Sequence, residues 1–301
     1  MNNKIQDPVG AQVFGYNGEY SSSFNFQNVN TYNSINNYLF AQLCGLIYAD
    51  IESINKQVEQ WNAKSSSLNL IVDVKDVDSF RFMVLSNQDF VIVVFRGSSN
   101  LANWLTDFDI ILTPFENMEN NLVHQGFYLS VLSMLDELQE VITERKNNAQ
   151  NIYITGHSLG AAQAIISAFA CPSLFDFVSV TTFGEPKIGD SGLITSFNLK
   201  LQSCPPSGQS KLYRVVNGWD PIPSLPLFYK TQFYYHEGCF YLYAKSEGDH
   251  YDIKNTSIPL NPDLIDHFPM GQQEILEWRI DYHAIGLYIS NALANIDNNV
   301  F

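Results

Sequence analysis

Unbroken apolar runs alternate along the chain with stretches whose apolar positions recur at helical spacing. Phe90-Val-Ile-Val-Val-Phe95 is the longest such run; with Leu68 to Val74 and Phe80 to Leu85 it predicts consecutive strands, and Ser86-Asn-Gln-Asp89 supplies a hairpin turn. Leu39, Phe40, Leu43, Leu46, Ile47 and Tyr48 form a helical stripe from Tyr38 onward, and Trp61 closes a second, more polar helix before Ser65-Ser-Ser67. Val131, Leu135, Leu138 and Ile142 give a long helix, Phe127 to Lys146, its buried side. Further strands are predicted at Ile152 to Thr155, Phe177 to Phe183 and Leu212 to Val216, and an apolar helix carries Ile285, Leu287, Tyr288 and Ile289. Strand and helix alternate, so the fold class is α/β. Residues 1–30, rich in Asn, Ser, Gly and Tyr, read as an N-terminal strap, partly disordered at its start; residues 31–301 read as a single α/β domain.

The segment after Phe95-Arg-Gly-Ser-Ser-Asn100 leaves two readings open. It places Leu101, Trp104, Leu105, Phe108, Ile111 and Leu112 on one helical face and Asn100, Asn103, Thr106 and Asp107 on another. Such a helix serves either as a lid over an apolar site or as a surface helix facing the core.

Composition narrows the partners. A chain of 301 residues, 46 % hydrophobic and 16 % charged, can bury a large core, and no apolar run approaches the roughly 20 residues of a spanning helix. Met1-Asn-Asn-Lys-Ile-Gln-Asp-Pro8 has no apolar signal region, so the expected location is cytoplasmic, with export by a signal-independent route as the alternative. A net charge of −15 without any basic cluster argues against nucleic acid and against anionic membrane surfaces. Cys44, Cys171, Cys204 and Cys239 show no paired or metal-like spacing. Free thiols are expected, or two disulfides should the chain be exported.

Chemistry concentrates at Gly156-His-Ser-Leu-Gly160. A β-branched strand before it and the small-residue helix Ala161 to Ala168 after it are the setting in which G-x-S-x-G forms a sharp elbow presenting serine at the top of a sheet. Ser158 is then the nucleophile, and the N–H of Leu159 at the helix start faces a developing oxyanion. Activating a serine needs a base and a carboxylate that orients it. In the order serine, acid, histidine, Asp220 qualifies: it follows a strand and is stiffened by Pro221 and Pro223. His157 should point away from the nucleophile, His124 precedes it, and His236 and His250 suit structural and solvated positions. His283, ahead of the apolar helix, and His267 remain as bases. An apolar segment, Leu225-Pro-Leu-Phe-Tyr229, forms either an acyl-chain groove through Leu225 and Phe228 or ordinary packing against the sheet.

Taken in order, Val93-Val-Phe-Arg-Gly-Ser98 with Asn103-Trp-Leu-Thr-Asp107, Val123-His-Gln-Gly-Phe127, Gly156-His-Ser-Leu-Gly160, Thr182-Phe-Gly-Glu-Pro-Lys-Ile-Gly189, Arg214-Val-Val-Asn-Gly-Trp-Asp-Pro-Ile-Pro223 and His283 followed by Tyr288 resemble the class 3 lipase family of α/β-hydrolases. The likeness covers roughly Tyr38 to Ile289. It implies an α/β-hydrolase fold, a mostly parallel central sheet with helices on both faces. It favours His283 as base, gives His124 and His236 structural roles, makes Ser98 an oxyanion donor beside Leu159, and turns the segment carrying Trp104, Leu105 and Phe108 into a lid. The implied activity is hydrolysis of acyl-glycerol esters, with phospholipase A1, short-chain esterase or acyl transfer as variants and a silent lipid- or protein-binding scaffold as the rival. The substrate is a lipid ester met at a lipid–water interface, and no metal or organic cofactor is implied. The family's fungal members are exported and disulfide-bonded, features this sequence does not display.

Overall fold

The computed structural model describes residues 20–98, 111–116, 118–146, 151–201, 211–218, 220–226, 239–245, 251–256 and 280–297. Its centre is an eight-stranded sheet in the order β1-β2-β3-β6-β7-β8-β9-β10. These strands are β1 (Ile71–Val77), β2 (Phe80–Ser86), β3 (Phe90–Phe95), β6 (Asn151–His157), β7 (Ser179–Phe183), β8 (Leu212–Asn217), β9 (Cys239–Lys245) and β10 (Tyr251–Thr256). β3, β6, β7, β8 and β9 run parallel; β1, β2 and β10 add antiparallel edges.

Strand β3 is apolar and buried along its whole length because both of its faces are covered. Along β3, Val91, Val93 and Phe95 join one core and Phe90, Ile92 and Val94 the other, following the two-residue period of a strand. Helices α3 (Gln125–Arg145), α4 (Leu159–Ala170) and α5 (Ser191–Leu201) feed the first core through residues such as Met134, Ile165 and Phe197. Helices α1 (Ser34–Leu46), α2 (Ile51–Lys64) and α6 (Ile285–Asp297) feed the second through Leu43, Trp61 and Tyr288. Asp50 caps α2 by accepting from Ser53 N, and Asn33 caps α1 in the same way from Asn36 N.

Residues 20–33 lie on the second face. Ser21 O accepts from Trp61 Nε1 at 2.9 Å, Gln27 N donates to Asn36 Oδ1 at 2.8 Å, and the Phe26 ring sits 4.6 Å from that of Phe90. Of the described cysteines, Cys44 and Cys171 are free and buried. Among the described residues no helix is long and apolar enough to cross a membrane.

Several elements differ from the sequence expectation. The first strand begins at Ile71 rather than Leu68, because the Asn62 side chain claims both backbone groups of Leu70, at 2.8 and 2.9 Å, and holds it out of the ladder. The spacing predicts a helical face through Ile111 and Leu112, but Leu112–Phe115 forms strand β4, paired antiparallel with β5 (Met118–His124). Pro114 would remove a helical hydrogen bond but fits a two-stranded ribbon. The helix expected before it falls at positions outside the described residues.

Candidate active site

Strand β6 runs straight into Ser158, and α4 starts at the next residue. The turn is so tight that a Cβ on Gly156 would strike the backbone of Gly160, and one on Gly160 the backbone of Phe95. Ser158 itself adopts φ 60° and ψ −128°, a region L-residues avoid. Backbone bonds hold it there: Ser158 N donates to Phe183 O at 3.0 Å, and Ala161 N donates to Ser158 O at 2.9 Å. Its Oγ is buried and has no hydrogen-bond partner among the described residues.

The carboxylate comes from the end of β8. Asp220 Oδ1 accepts from Ile222 N at 2.9 Å, which fixes the carboxylate plane. Oδ2 accepts from His283 Nδ1 at 2.7 Å and from the Tyr288 hydroxyl at 2.6 Å. His283 closes a 3-10 turn, Ile280–His283, just ahead of α6, and is fully buried. Donation to a carboxylate requires the proton on Nδ1, which leaves Nε2 as the basic nitrogen. Nε2 is buried and has no hydrogen-bond partner among the described residues.

Two backbone segments pack these groups together. Gly184, at φ +57°, lies flat against the acid–imidazole pair: a Cβ there would fall 2.7 Å from Asp220 Oδ2 and 2.7 Å from His283 Cε1. It directly follows Phe183, whose carbonyl holds Ser158 N, so the end of β7 touches both halves of the site. The second segment is Arg96-Gly97-Ser98, where a Cβ on Gly97 would lie 3.2 Å from Ser158 Cβ and 2.6 Å from His157 O. Ser98 is half-buried beside this contact, and Leu159 opens α4, whose first N–H groups have no helical acceptor.

Of the residues singled out from sequence, Ser158, Asp220, His283, Ser98 and Leu159 therefore converge on the C-terminal ends of β3, β6, β7 and β8. Leu225 is buried, and its carbonyl accepts from Lys187 N at 2.7 Å. Trp104, Leu105, Phe108, Phe228, His236, His250 and His267 lie outside the described residues. His124 caps α3, its Nδ1 accepting from Phe127 N at 3.4 Å; burial pushes it down to about 4.

Sequence reasoning missed three contacts. His157 Nε2 donates to the main-chain carbonyl of His283 at 2.7 Å, and the two rings stack with centroids 4.4 Å apart. Burial, then the neighbouring His283, holds His157 well below the usual histidine range. Asn217 Nδ2 donates to Tyr282 O at 3.0 Å, and Asn217 N donates to the Tyr288 hydroxyl at 3.1 Å. Each joins residues at least 65 positions apart, and no local periodicity announces such a pairing.

A mostly parallel sheet covered on both faces, with a serine on the elbow after a central strand, defines an α/β-hydrolase fold. The lipase from Rhizopus microsporus var. chinensis superposes with a TM-score of 0.59, covering 97 % of this chain and 98 % of that one at 17 % identity. Lipase II from Rhizopus niveus gives 0.56, covering 76 % and 88 % at 19 % identity. Residues 92–230 match the family model described as lipase (class 3). Among curated relatives, a lipase from Rhizomucor miehei is 25 % identical over 190 residues, 60 % of this chain and 47 % of that protein. Phospholipase A1-II 1 from Oryza sativa is 27 % identical over 197 residues, 55 % of this chain and 46 % of that protein. The chain spans about half the length of these curated relatives.

Proposed function

We propose that the chain is a carboxylic ester hydrolase of the lipase type, cleaving acyl-glycerol esters through an acyl-enzyme on Ser158. The observation that carries this reading is the buried His283–Asp220 pair, its Nε2 unclaimed among the described residues, packed through Gly184 and Phe183 against the elbow that presents Ser158.

In this reading Ser158 Oγ attacks the ester carbonyl carbon while His283 Nε2 takes the hydroxyl proton. Asp220 stays ionised and stabilises the imidazolium through Nδ1. The carbonyl oxygen, now negative, accepts from the N–H groups of Ser98 and Leu159. Collapse expels the alcohol, which takes its proton from His283. Water then attacks the acyl-enzyme, gives a proton to the same nitrogen and releases the acid and Ser158. No metal or organic cofactor enters these steps. Trp104, Leu105 and Phe108 belong to a lid and Leu225 and Phe228 to the acyl groove. The free, buried thiols of Cys44 and Cys171 suit a reducing, cytoplasmic location, although the Fusarium solani relative is named as a secreted mono- and diacylglycerol lipase.

A phospholipid substrate is the second reading, favoured by the match to the rice phospholipase A1-II 1. Fatty-acid release from triacylglycerol emulsions, compared with release from the sn-1 position of phosphatidylcholine vesicles, separates the two. The central test is labelling by an alkyl fluorophosphonate, mapped by mass spectrometry with a lipid surface present. Label on Ser158 that disappears in His283→Ala supports the mechanism. A chain that takes no label and releases no acid is a lipid- or protein-binding scaffold instead.

A further inference from the structure

We propose that His157 is a positioning residue for His283, holding the base in register with the nucleophile through a hydrogen bond to its main-chain carbonyl and a stacked ring. The inference rests on the reading of Ser158, His283 and Asp220 as the catalytic groups.

The geometry is specific. A backbone carbonyl only accepts, so the 2.7 Å contact fixes the proton of His157 on Nε2. Nδ1 has no hydrogen-bond partner among the described residues, so nothing there draws the ring into another tautomer. The ring lies at 28° to that of His283 with centroids 4.4 Å apart, and Tyr288 closes a second side edge-on at 5.6 Å. Both imidazoles are buried, at 3 % and 0 % exposure.

His283 sits on a short turn, where side-chain placement depends on what grips the backbone. Two consecutive carbonyls of that turn are held from the sheet: Tyr282 O by Asn217 at the end of β8, and His283 O by His157 at the end of β6. The second tie matters more for chemistry, because His157 is bonded directly to Ser158. Nucleophile and base are thus measured off from adjacent Cα atoms about 3.8 Å apart, rather than through the 126 residues that separate His157 from His283 in the chain. A group in this place must also stay uncharged, since the stacked partner becomes an imidazolium in each half-reaction. Burial next to His283 favours the neutral form of His157, which meets that requirement.

If His157 only filled space, phenylalanine would replace it, being flat, neutral and of similar size. The experiment compares His157→Phe, His157→Asn and His157→Gln with wild type and Ser158→Ala, using a soluble chromogenic ester, with kcat and KM measured separately and folding checked by near-ultraviolet circular dichroism. Glutamine places an amide N–H about where Nε2 stands; asparagine falls short of it. His157→Phe and His157→Asn are expected to lower kcat about 10- to 100-fold with KM within about twofold, and His157→Gln to recover most of the loss. Should phenylalanine not fold, the asparagine–glutamine pair carries the same comparison. Wild-type kcat in His157→Phe, or equal losses in asparagine and glutamine variants, would overturn the positioning role while leaving the triad intact. Hydrolysis that survives Ser158→Ala would overturn the functional reading itself, and this inference with it.

Discussion

Tyr288 donates its hydroxyl to Oδ2 of Asp220 at 2.6 Å, on the same oxygen that receives His283 Nδ1. The tyrosine projects from α6, immediately after the histidine turn, so one short segment supplies both donors to the carboxylate. Its hydroxyl also accepts from Asn217 N, tying α6 to the end of β8. Tyr288→Phe keeps the ring and removes both bonds. Asp220 then keeps its tie to Ile222 N but loses one of the two donors that aim Oδ2. The expected result is a kcat about tenfold lower with little change in KM, well short of the loss in Ser158→Ala; steady-state kinetics on a soluble ester checks it. Unchanged kcat would mean that Ile222 N and His283 suffice to orient the carboxylate.

Ser158 illustrates a conflict between stability and function. Its φ of 60° with ψ −128° costs about 1–3 kcal/mol in a residue with a side chain, and its buried Oγ finds no partner among the described residues. Glycine accepts that backbone without strain, against an entropic penalty of about 0.5–1 kcal/mol. Ser158→Gly is therefore expected to abolish turnover and raise Tm. A lower Tm would show that the elbow is held by contacts of the serine side chain rather than imposed against its preference.

Gly184 makes the opposite case. Any Cβ there meets Asp220 Oδ2 at 2.7 Å and His283 Nδ1 at 2.8 Å, and the φ of +57° already disfavours an L-residue. Gly184→Ala should cost about 1 kcal/mol or more from the backbone alone and displace the acid–imidazole pair as well. A kcat reduction of about 100-fold or greater is expected, larger than the fall in Tm would explain. Kinetics and thermal melts on the same preparation check it; near-normal kcat would show that the pair tolerates being moved.

The central strand β3 was legible because burial on both faces leaves only apolar residues from Phe90 to Phe95. The β4–β5 ribbon was not. Leu112-Thr-Pro-Phe115 and Met118-Glu-Asn-Asn-Leu-Val-His124 have no clean alternation, and the pairing is stabilised from outside by the bridge from Val123 to Gly189 and by Asp190 Oδ1 accepting from Leu122 N. At the site, motif order removed His124, a chemical constraint that sequence expresses directly, and the local settings of His157, His236 and His250 left His283 and His267. The ties from His157 and Asn217 to the histidine turn carry no such mark, since each is a single polar contact between strand ends and a segment arriving late in the chain. Even the alternation along β6 gives only the face of His157, not what the fold brings to that face.

Two buried histidines should make the fold sensitive to acid. Burial holds His124 down to about 4 and His157 well below its usual 6.5, the latter also through His283. Both groups are neutral in the folded chain at pH 6, whereas an unfolded chain protonates its histidines near 6.5. The unfolded state thus binds more protons as pH drops, and stability, complete above about 6.5, declines through this window. The His124 share ends near pH 4 and amounts to roughly 3 kcal/mol. Asp50 and Asp76 act elsewhere: Ser53 and Arg81 hold them below the usual 3.8, so their stabilisation is lost only at lower pH. Between pH 7 and 4.5, then, the two histidines contribute a slope that Asp50 and Asp76 do not. His124→Asn keeps an acceptor for the Phe127 N–H while removing the titration, and should flatten Tm against pH over that range. A variant whose Tm falls as steeply as wild type would place the sensitivity outside His124, with His157 the next group to substitute, since its protonation would place a charge against the ring of His283.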